Sequence, residues 1–265
     1  MCIRDRRGAW TWNRGYFRGL RKSVDDVYGT DGRMVREVLR LGDPAGKRIL
    51  EVGAGTGRDA VDLARAGAEV LTLDYVAGSL HLTVKAAGAA GVTVAPVCGD
   101  ALGSPFADGT FDVVFHQGLL EHFRDVRPLL GDNARILKPG GHVIVDVPQT
   151  FHYYTVGKQL LIALDRWFAG WETQFTIGQL EAHVRREGLA VVRSYGDWMV
   201  PGLWYRALRK ILLTCLGWKL PMHPEPVPAL ARLGARWRGW FGRKRAALYT
   251  MPTIGVVARK PEALP

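Results

Sequence analysis

Three glycines at alternate positions, Gly53, Gly55 and Gly57, follow an apolar run in "ILEVGAGTGRDA". Glycine lacks a Cβ, so a ligand can lie directly on the backbone. The helix-compatible segment that follows offers its N-terminal N–H groups and the positive end of its dipole. Two carboxylates flank the loop: Glu51 stands two residues before Gly53, and Asp74 stands 21 residues after it, closing the next apolar run. A carboxylate there can accept from both hydroxyls of a ribose, which points to a nucleoside-bearing ligand at the carboxyl ends of strands. The G-x-G-x-G spacing alone does not separate a dinucleotide from other nucleosides. A tight strand–helix turn with a chance Asp is the plain alternative. Asp100, after Gly99 and another apolar run, either reaches the same edge or caps a helix.

The elements that must hold these residues read as alternating strands and helices. "KRILEVG", "AEVLTLD", "VTVAPVCGD", "TFDVVFHQG" and "HVIVDVP" read as strands, several of them wholly apolar. "GRDAVDLARAG" reads as a helix with Ala60, Leu63 and Ala64 on one face, and "AGSLHLTVKAAGAAG" as a weaker one. "RDVRPLLGDNARILKPGG" predicts a helix stopped by Pro139 and two glycines, with no chemistry in the Lys-Pro-Gly-Gly run. "TIGQLEAHVRREG" predicts a helix with Leu180 and Val184 inward, "LAVVRSYGDW" a sixth strand, and "ALYTMPTIGVVARK" a last strand over about Tyr249–Ala258. This alternation argues a parallel sheet covered on both faces.

Length and composition set the frame. The chain has 265 residues, 48% of them hydrophobic, which suits one large domain with an elaboration and a core that needs no staples. Cys2, Cys98 and Cys215 lie far apart, with no CxxC pair and no zinc spacing, so a reducing, intracellular setting is expected. "MCIRDRRGAWTW" is charged and lacks the apolar stretch of a signal peptide. No window reaches the roughly 18 uninterrupted apolar residues of a membrane span.

Together with the glycine loop, "CGDALGSPFADGTFDVVFHQGLLEHF" and "RILKPGGHVIVDVP" make an ordered set of motifs. They resemble the class I S-adenosylmethionine (SAM) dependent methyltransferases, in the small-molecule branch of type 11/25. The resemblance covers roughly residues 47–200 plus the last strand. It implies an α/β fold: a Rossmann-like, doubly wound sheet of seven mostly parallel strands with an antiparallel last one. It also implies SAM as cofactor. Carried over position by position, Glu51, Gly53, Ala54, Gly55 and Gly57 would hold the methionine part. Asp74 would bind the ribose, with Tyr75 against the adenine. Asp100 with Ala101 would reach the adenine edge. His116, Gln117 and Gly118 would border the sulfonium.

Methyl transfer from a sulfonium is an in-line displacement in which alignment supplies much of the acceleration. A general base is needed only when the nucleophile arrives protonated. His116, His122 and His152 are the candidates, with Glu121 beside them. Similar family members carry an E-x-x-E-H run that can hold a divalent metal; here Gly118 stands where the first Glu would be, and no metal is expected. "LEH" also suits plain packing and hydrogen bonding. Tyr153 and Tyr154 could line the acceptor pocket or serve as core aromatics. Residues 1–46 read as a helical cap, with Tyr16, Phe17 and Tyr28 as lid aromatics.

The charge is uneven. Residues 49–150 are net acidic, whereas 201–248 carry ten basic side chains and one acidic, Glu225. In "GLWYRALRKILLTCLGWK", Arg206, Arg209 and Lys210 share one helical face, with Trp204, Leu208, Ile211, Leu212, Cys215 and Leu216 opposite. "ALARLGARWRGWFGRKR" repeats the theme with Leu230, Leu233, Trp237, Trp240 and Phe241. The insert reads as a surface element for an anionic membrane, through 202–245, or as a helical cover over the acceptor pocket. The two coexist if the acceptor is a lipid. Nucleic acid is disfavoured, because Leu and Trp dominate the pattern and no base-reading motif occurs.

The reading is thus a helical cap (1–46), a methyltransferase core (47–200), a basic insert (201–248) and a last strand with tail (249–265). It would move a methyl from SAM to a small or lipid-like acceptor, at oxygen in preference to carbon or nitrogen, in the cytoplasm or at the inner membrane face. The rivals are an RNA or protein methyltransferase using the basic flanks, a SAM-binding protein without turnover, and an oxidoreductase.

Overall fold

A computed structural model gives the architecture and describes residues 2–4, 10–12, 32–167, 171–198, 202–221 and 228–262. Tyr16, Phe17 and Tyr28 lie outside the described residues. Cys2–Arg4 and Trp10–Trp12 pair as a short antiparallel ladder.

The main sheet has seven strands: β1 (Arg48–Val52), β2 (Glu69–Asp74), β3 (Ala95–Cys98), β4 (Phe111–Gln117), β5 (Leu137–Pro148), β6 (Ala190–Asp197) and β7 (Thr253–Arg259). Their spatial order is β3-β2-β1-β4-β5-β7-β6. The first five pair in parallel, and β7 runs antiparallel to both β5 and β6. The fold expected from the motifs is the fold observed. The order reverses between β1 and β4, and the crevice outside the carboxyl ends of such strands is where open α/β sheets bind ligands.

Both faces are covered because the central strands are apolar on both sides. On one face Leu50, Val52, Val114, Val143 and Val145 pack with α4 (Arg127–Ile136) and α6 (Ile177–Arg186). On the other, Ile49, Val113, Phe115 and Ile144 pack with α1 (Arg33–Leu39) and α2 (Arg58–Arg65). α3 (Ala77–Ala89) follows β2, and α5 (Tyr153–Ala163) follows β5. α7 (Leu203–Leu216) and α8 (Pro228–Phe241) form the insert before β7. α1, the described helix of the N-terminal segment, buries Met34 and Val38 in the core, and Arg33 Nε donates to Asp146 Oδ2 at 2.5 Å.

Three boundaries differ from the sequence expectation. α4 ends at Ile136, ahead of Pro139, because the residue before a proline is driven to extended backbone. Leu137–Gly141 instead opens β5, with a register shift between the Phe111 and Val113 pairings. β3 is only Ala95–Cys98, and Pro96 is tolerated there because the strand is at the sheet's edge. β7 begins at Thr253: Tyr249 belongs to a short 3₁₀ turn, and Pro252 has no N–H for the ladder.

Candidate functional site

The glycine loop is held in left-handed backbone at all three glycines, with φ of 68° at Gly53, 57° at Gly55 and 64° at Gly57. L side chains rarely adopt this region. The surroundings separate the three. A Cβ at Gly57 would lie 2.3 Å from Thr83 Cγ2, and one at Gly53 would press Leu119 at 3.0 Å. A Cβ at Gly55 would meet nothing within 4 Å. Packing demands glycine at 57, whereas at 55 the backbone faces open space.

Asp74 braces this loop. Its Oδ2 accepts from Gly55 N–H at 3.1 Å and from Ser79 Oγ at 3.0 Å, and its Oδ1 accepts from Val76 N–H at 2.9 Å. Ser79 also donates to the Gly55 carbonyl. Ser79 went unnoticed in the sequence; the signal available was a hydroxyl in the first turn of the helix after an acidic strand end. Tyr75, next to Asp74, is exposed. The register pairs Asp74 with Cys98, so Asp100 sits two residues past Asp74's neighbour. Asp100 is exposed and its Oδ1 accepts from Leu102 N–H at 2.9 Å, which turns the chain locally. Ala101 is half-buried behind it.

Glu51 faces inward, and its Oε2 accepts from Ala60 N–H at 3.1 Å. Gly57 brings no side-chain cap to α2, so the carboxyl of Glu51 serves its first turn from the strand below. Burial first, then the nearby Asp59, pushes the Glu51 pKa well above the usual carboxylate range. Ala54 is buried at the loop's inner side.

The β4 edge meets the glycine loop through Leu119 against Gly53. His116 pairs with Val145 of β5, Gln117 with Asp146, and Gly118 N–H donates to the Asp146 carbonyl at 3.0 Å. His116 is 0% exposed, and neither ring nitrogen has a hydrogen-bond partner among the described residues. Burial lowers its pKa to about 4. Glu121 and His122 follow in a buried 3₁₀ turn. Burial, with the Glu172 carboxylate nearby, pushes Glu121 up to about 8, and burial pulls His122 down. Glu121 Oε2, Gln149 Nε2, Thr150 Oγ1 and Thr155 Oγ1 also lack partners among the described residues. They stand along the ends of β4 and β5 and the start of α5, so this edge gathers buried polar atoms that its own protein shell leaves unmatched. Buried polar groups are ordinarily paired.

His152 caps α5: its Nδ1 accepts from Tyr154 N–H at 3.3 Å, and Gln149 Oε1 accepts from its own N–H at 2.7 Å. Burial lowers its pKa. Behind it, Lys158 and Glu172 form a buried ion pair at 2.5 Å, and Trp167 Nε1 donates to Glu172 Oε1 at 2.9 Å. No periodicity announced that pair, because Glu172 lies in an irregular strap. Tyr153 is exposed and Tyr154 half-buried, so neither is a core aromatic. Among the described residues no group of His, Cys, Asp or Glu assembles a metal site.

A family model for a methyltransferase domain matches residues 50–145. A demethylmenaquinone methyltransferase of Thermus thermophilus is 37% identical over 121 residues, covering 44% of this chain and 55% of that protein. One of Thermobifida fusca is 38% identical over 104 residues, covering 38% and 43%. The chain thus spans about half the length of these curated relatives. A SAM-dependent methyltransferase structure from Mesorhizobium loti superposes with a TM-score of 0.56 at 18% identity, over 86% of this chain and 96% of that one. This last likeness shows the fold alone.

The residues present fit SAM. Gly55 leaves its face clear, Tyr75 offers an exposed ring beside the acidic strand end, and the loop opens at the start of α2. When bound, that group supplies an electrophilic methyl on a sulfonium. Residues 50–145 are thus similar to the methyltransferase-domain family, and the loop that opens at the start of α2 suits its cofactor.

Proposed function

We propose that the chain transfers the methyl of SAM to an oxygen of a lipid-like acceptor, at the inner face of the cytoplasmic membrane. One observation carries this reading. The acceptor side of the site combines unmatched buried polar atoms on His116, Glu121, Gln149 and Thr155 with a rim of exposed apolar side chains on α5 and α7. A molecule with one polar reacting group on a largely apolar body matches both. The relatives similar to this chain are named for methyl transfer to demethylmenaquinone.

In this reading the loop residues Glu51, Gly53, Ala54, Gly55 and Gly57 hold the methionine part. Asp74 takes the ribose, Tyr75 packs on the adenine, and Asp100 with Ala101 meets its edge. Gln117 and Gly118 border the reacting centre. His116 is neutral at pH 7, so its lone pair is available to an acceptor hydroxyl. Glu121 keeps its proton at pH 7 and can donate to the acceptor oxygen. His122 stays neutral beside it, and His152 fixes the start of α5 over the site. Alignment of the acceptor supplies the larger share of the acceleration, and a base on the hydroxyl the smaller.

The test is a partition of cell extract into organic-soluble and water-soluble fractions, each offered to the full chain with SAM. Formation of S-adenosylhomocysteine driven by the organic fraction supports the reading. Turnover driven only by water-soluble amines overturns it.

A further inference from the structure

Helix α5 is built inside out. It buries Thr155 and Lys158, the latter 4% exposed, and turns Tyr153, Val156, Leu160 and Leu164 to the outside. Val156 is 56% exposed and Leu160 61%. A helix on a protein surface ordinarily presents the reverse. The inversion is anchored by the Lys158–Glu172 pair, since a buried ammonium must be paired.

α7 repeats the arrangement. Trp204 is 81% exposed, Leu208 and Ile211 are exposed with it, and Arg206 and Arg209 lie on the half-buried side. Had α7 covered the acceptor pocket, its apolar half would be the buried one. The two helices meet where Tyr153 stacks on Trp204, ring centroids 6.3 Å apart. On α8, Trp237 and Trp240 are exposed, and Lys244 lies 3.9 Å over the Trp240 ring.

We infer that α5 and α7 together form a bilayer-docking face that inserts into the headgroup boundary of an anionic membrane. This extends the lipid-acceptor reading, but binding to a bilayer does not require turnover. Three observations select lipid over other occupants. The aliphatic side chains are bordered by Trp and Tyr, the residues that settle at membrane interfaces. The segment 201–248 carries ten basic side chains against one acidic, which suits an anionic surface. A second copy of the chain would bring the same positive charge against it, which disfavours pairing through this face. α5 reaches further than the basic insert alone: its outer side meets the bilayer while its inner side carries Thr155 and Lys158 toward the acceptor edge.

The experiment is flotation of the full chain with vesicles of phosphatidylcholine alone and of phosphatidylcholine with phosphatidylglycerol. The chain should float with the anionic vesicles, and added salt should weaken the binding. The double variant Val156→Glu/Leu160→Glu should bind them about tenfold more weakly or worse while SAM affinity is unchanged. If that variant loses SAM affinity and so fails to fold, Trp204→Ser, at the most exposed of these positions, takes its place with the same expectation. Three results overturn the inference: no flotation with anionic vesicles, flotation unchanged in a folded variant, or a dimer that these substitutions dissolve. Absence of methyl transfer with flotation intact would count against the lipid acceptor and leave the docking face standing.

Discussion

The Asp74 carboxylate accepts the Gly55 backbone N–H at 3.1 Å, so the residue expected at the ribose also fixes the loop expected at the methionine part. One side chain couples the two halves of the proposed cofactor site. Asp74→Ala should therefore cost about 1–3 kcal/mol of stability by orphaning a buried donor, and should weaken SAM binding as well. Asp74→Asn, which keeps one acceptor oxygen, should recover part of the stability. Denaturant unfolding alongside calorimetric titration with SAM reads both; unchanged SAM affinity in Asp74→Ala would remove Asp74 from the site.

Gly55 and Gly57 should respond differently to alanine. Both pay the left-handed backbone cost of roughly 1–2 kcal/mol. Gly57→Ala also drives a methyl into Thr83, so it should be the less stable variant, with partial relief from Thr83→Ser. Gly55→Ala fills only open space, so its larger effect should fall on SAM affinity. Thermal unfolding with and without SAM separates the two; equal stability loss in both variants would contradict the packing difference.

The Lys158–Glu172 pair should behave as a buried ion pair. Lys158→Met leaves a buried carboxylate and should cost about 3–5 kcal/mol, while Lys158→Met/Glu172→Leu should restore most of it. Urea titration of the four proteins in the cycle measures this. A single variant as stable as the parent would mean that α5 is held some other way.

Two named groups should hold stability level between pH 4.5 and 6.5 and let it fall on either side. His116 has a lowered folded pKa, so its contribution is complete above 6.5 and is lost as pH falls toward about 4. Glu121 has a raised one, so its contribution is complete below 4.5 and is lost as pH rises through about 8. Between 4.5 and 6.5 the two oppose each other; from 6.5 to 8 only Glu121 acts. Glu121→Gln should flatten the alkaline limb and His116→Gln the acid limb in unfolding measured across pH.

The sheet and the glycine loop at its carboxyl edge were legible because they rest on local signals: apolar runs of strand length, glycines at alternate positions, an acid at a strand's end. The remainder depended on tertiary context. Alternation places Glu51 inward but cannot say that it serves the first turn of α2. Apolar periodicity ordinarily marks a buried face, and it left open which side of α7 meets the protein; only the folded pairing of Lys158 with Glu172 shows which way α5 turns. The run after Ile136 carries helix-stop residues, and the same residues suit a bulged strand entry. The Glu121–His122 turn was visible, but its burial, which sets both protonation states, was not.

The central claim is methyl transfer from SAM to an oxygen of a lipid-like molecule. The most direct measurement supplies the full chain with SAM bearing a trideuterated methyl and a membrane lipid extract, and examines the organic phase by mass spectrometry. The organic phase should hold a lipid carrying the intact labelled methyl on oxygen, with S-adenosylhomocysteine formed in equal amount. SAM bound at the site, with neither product formed from any lipid fraction, would contradict it.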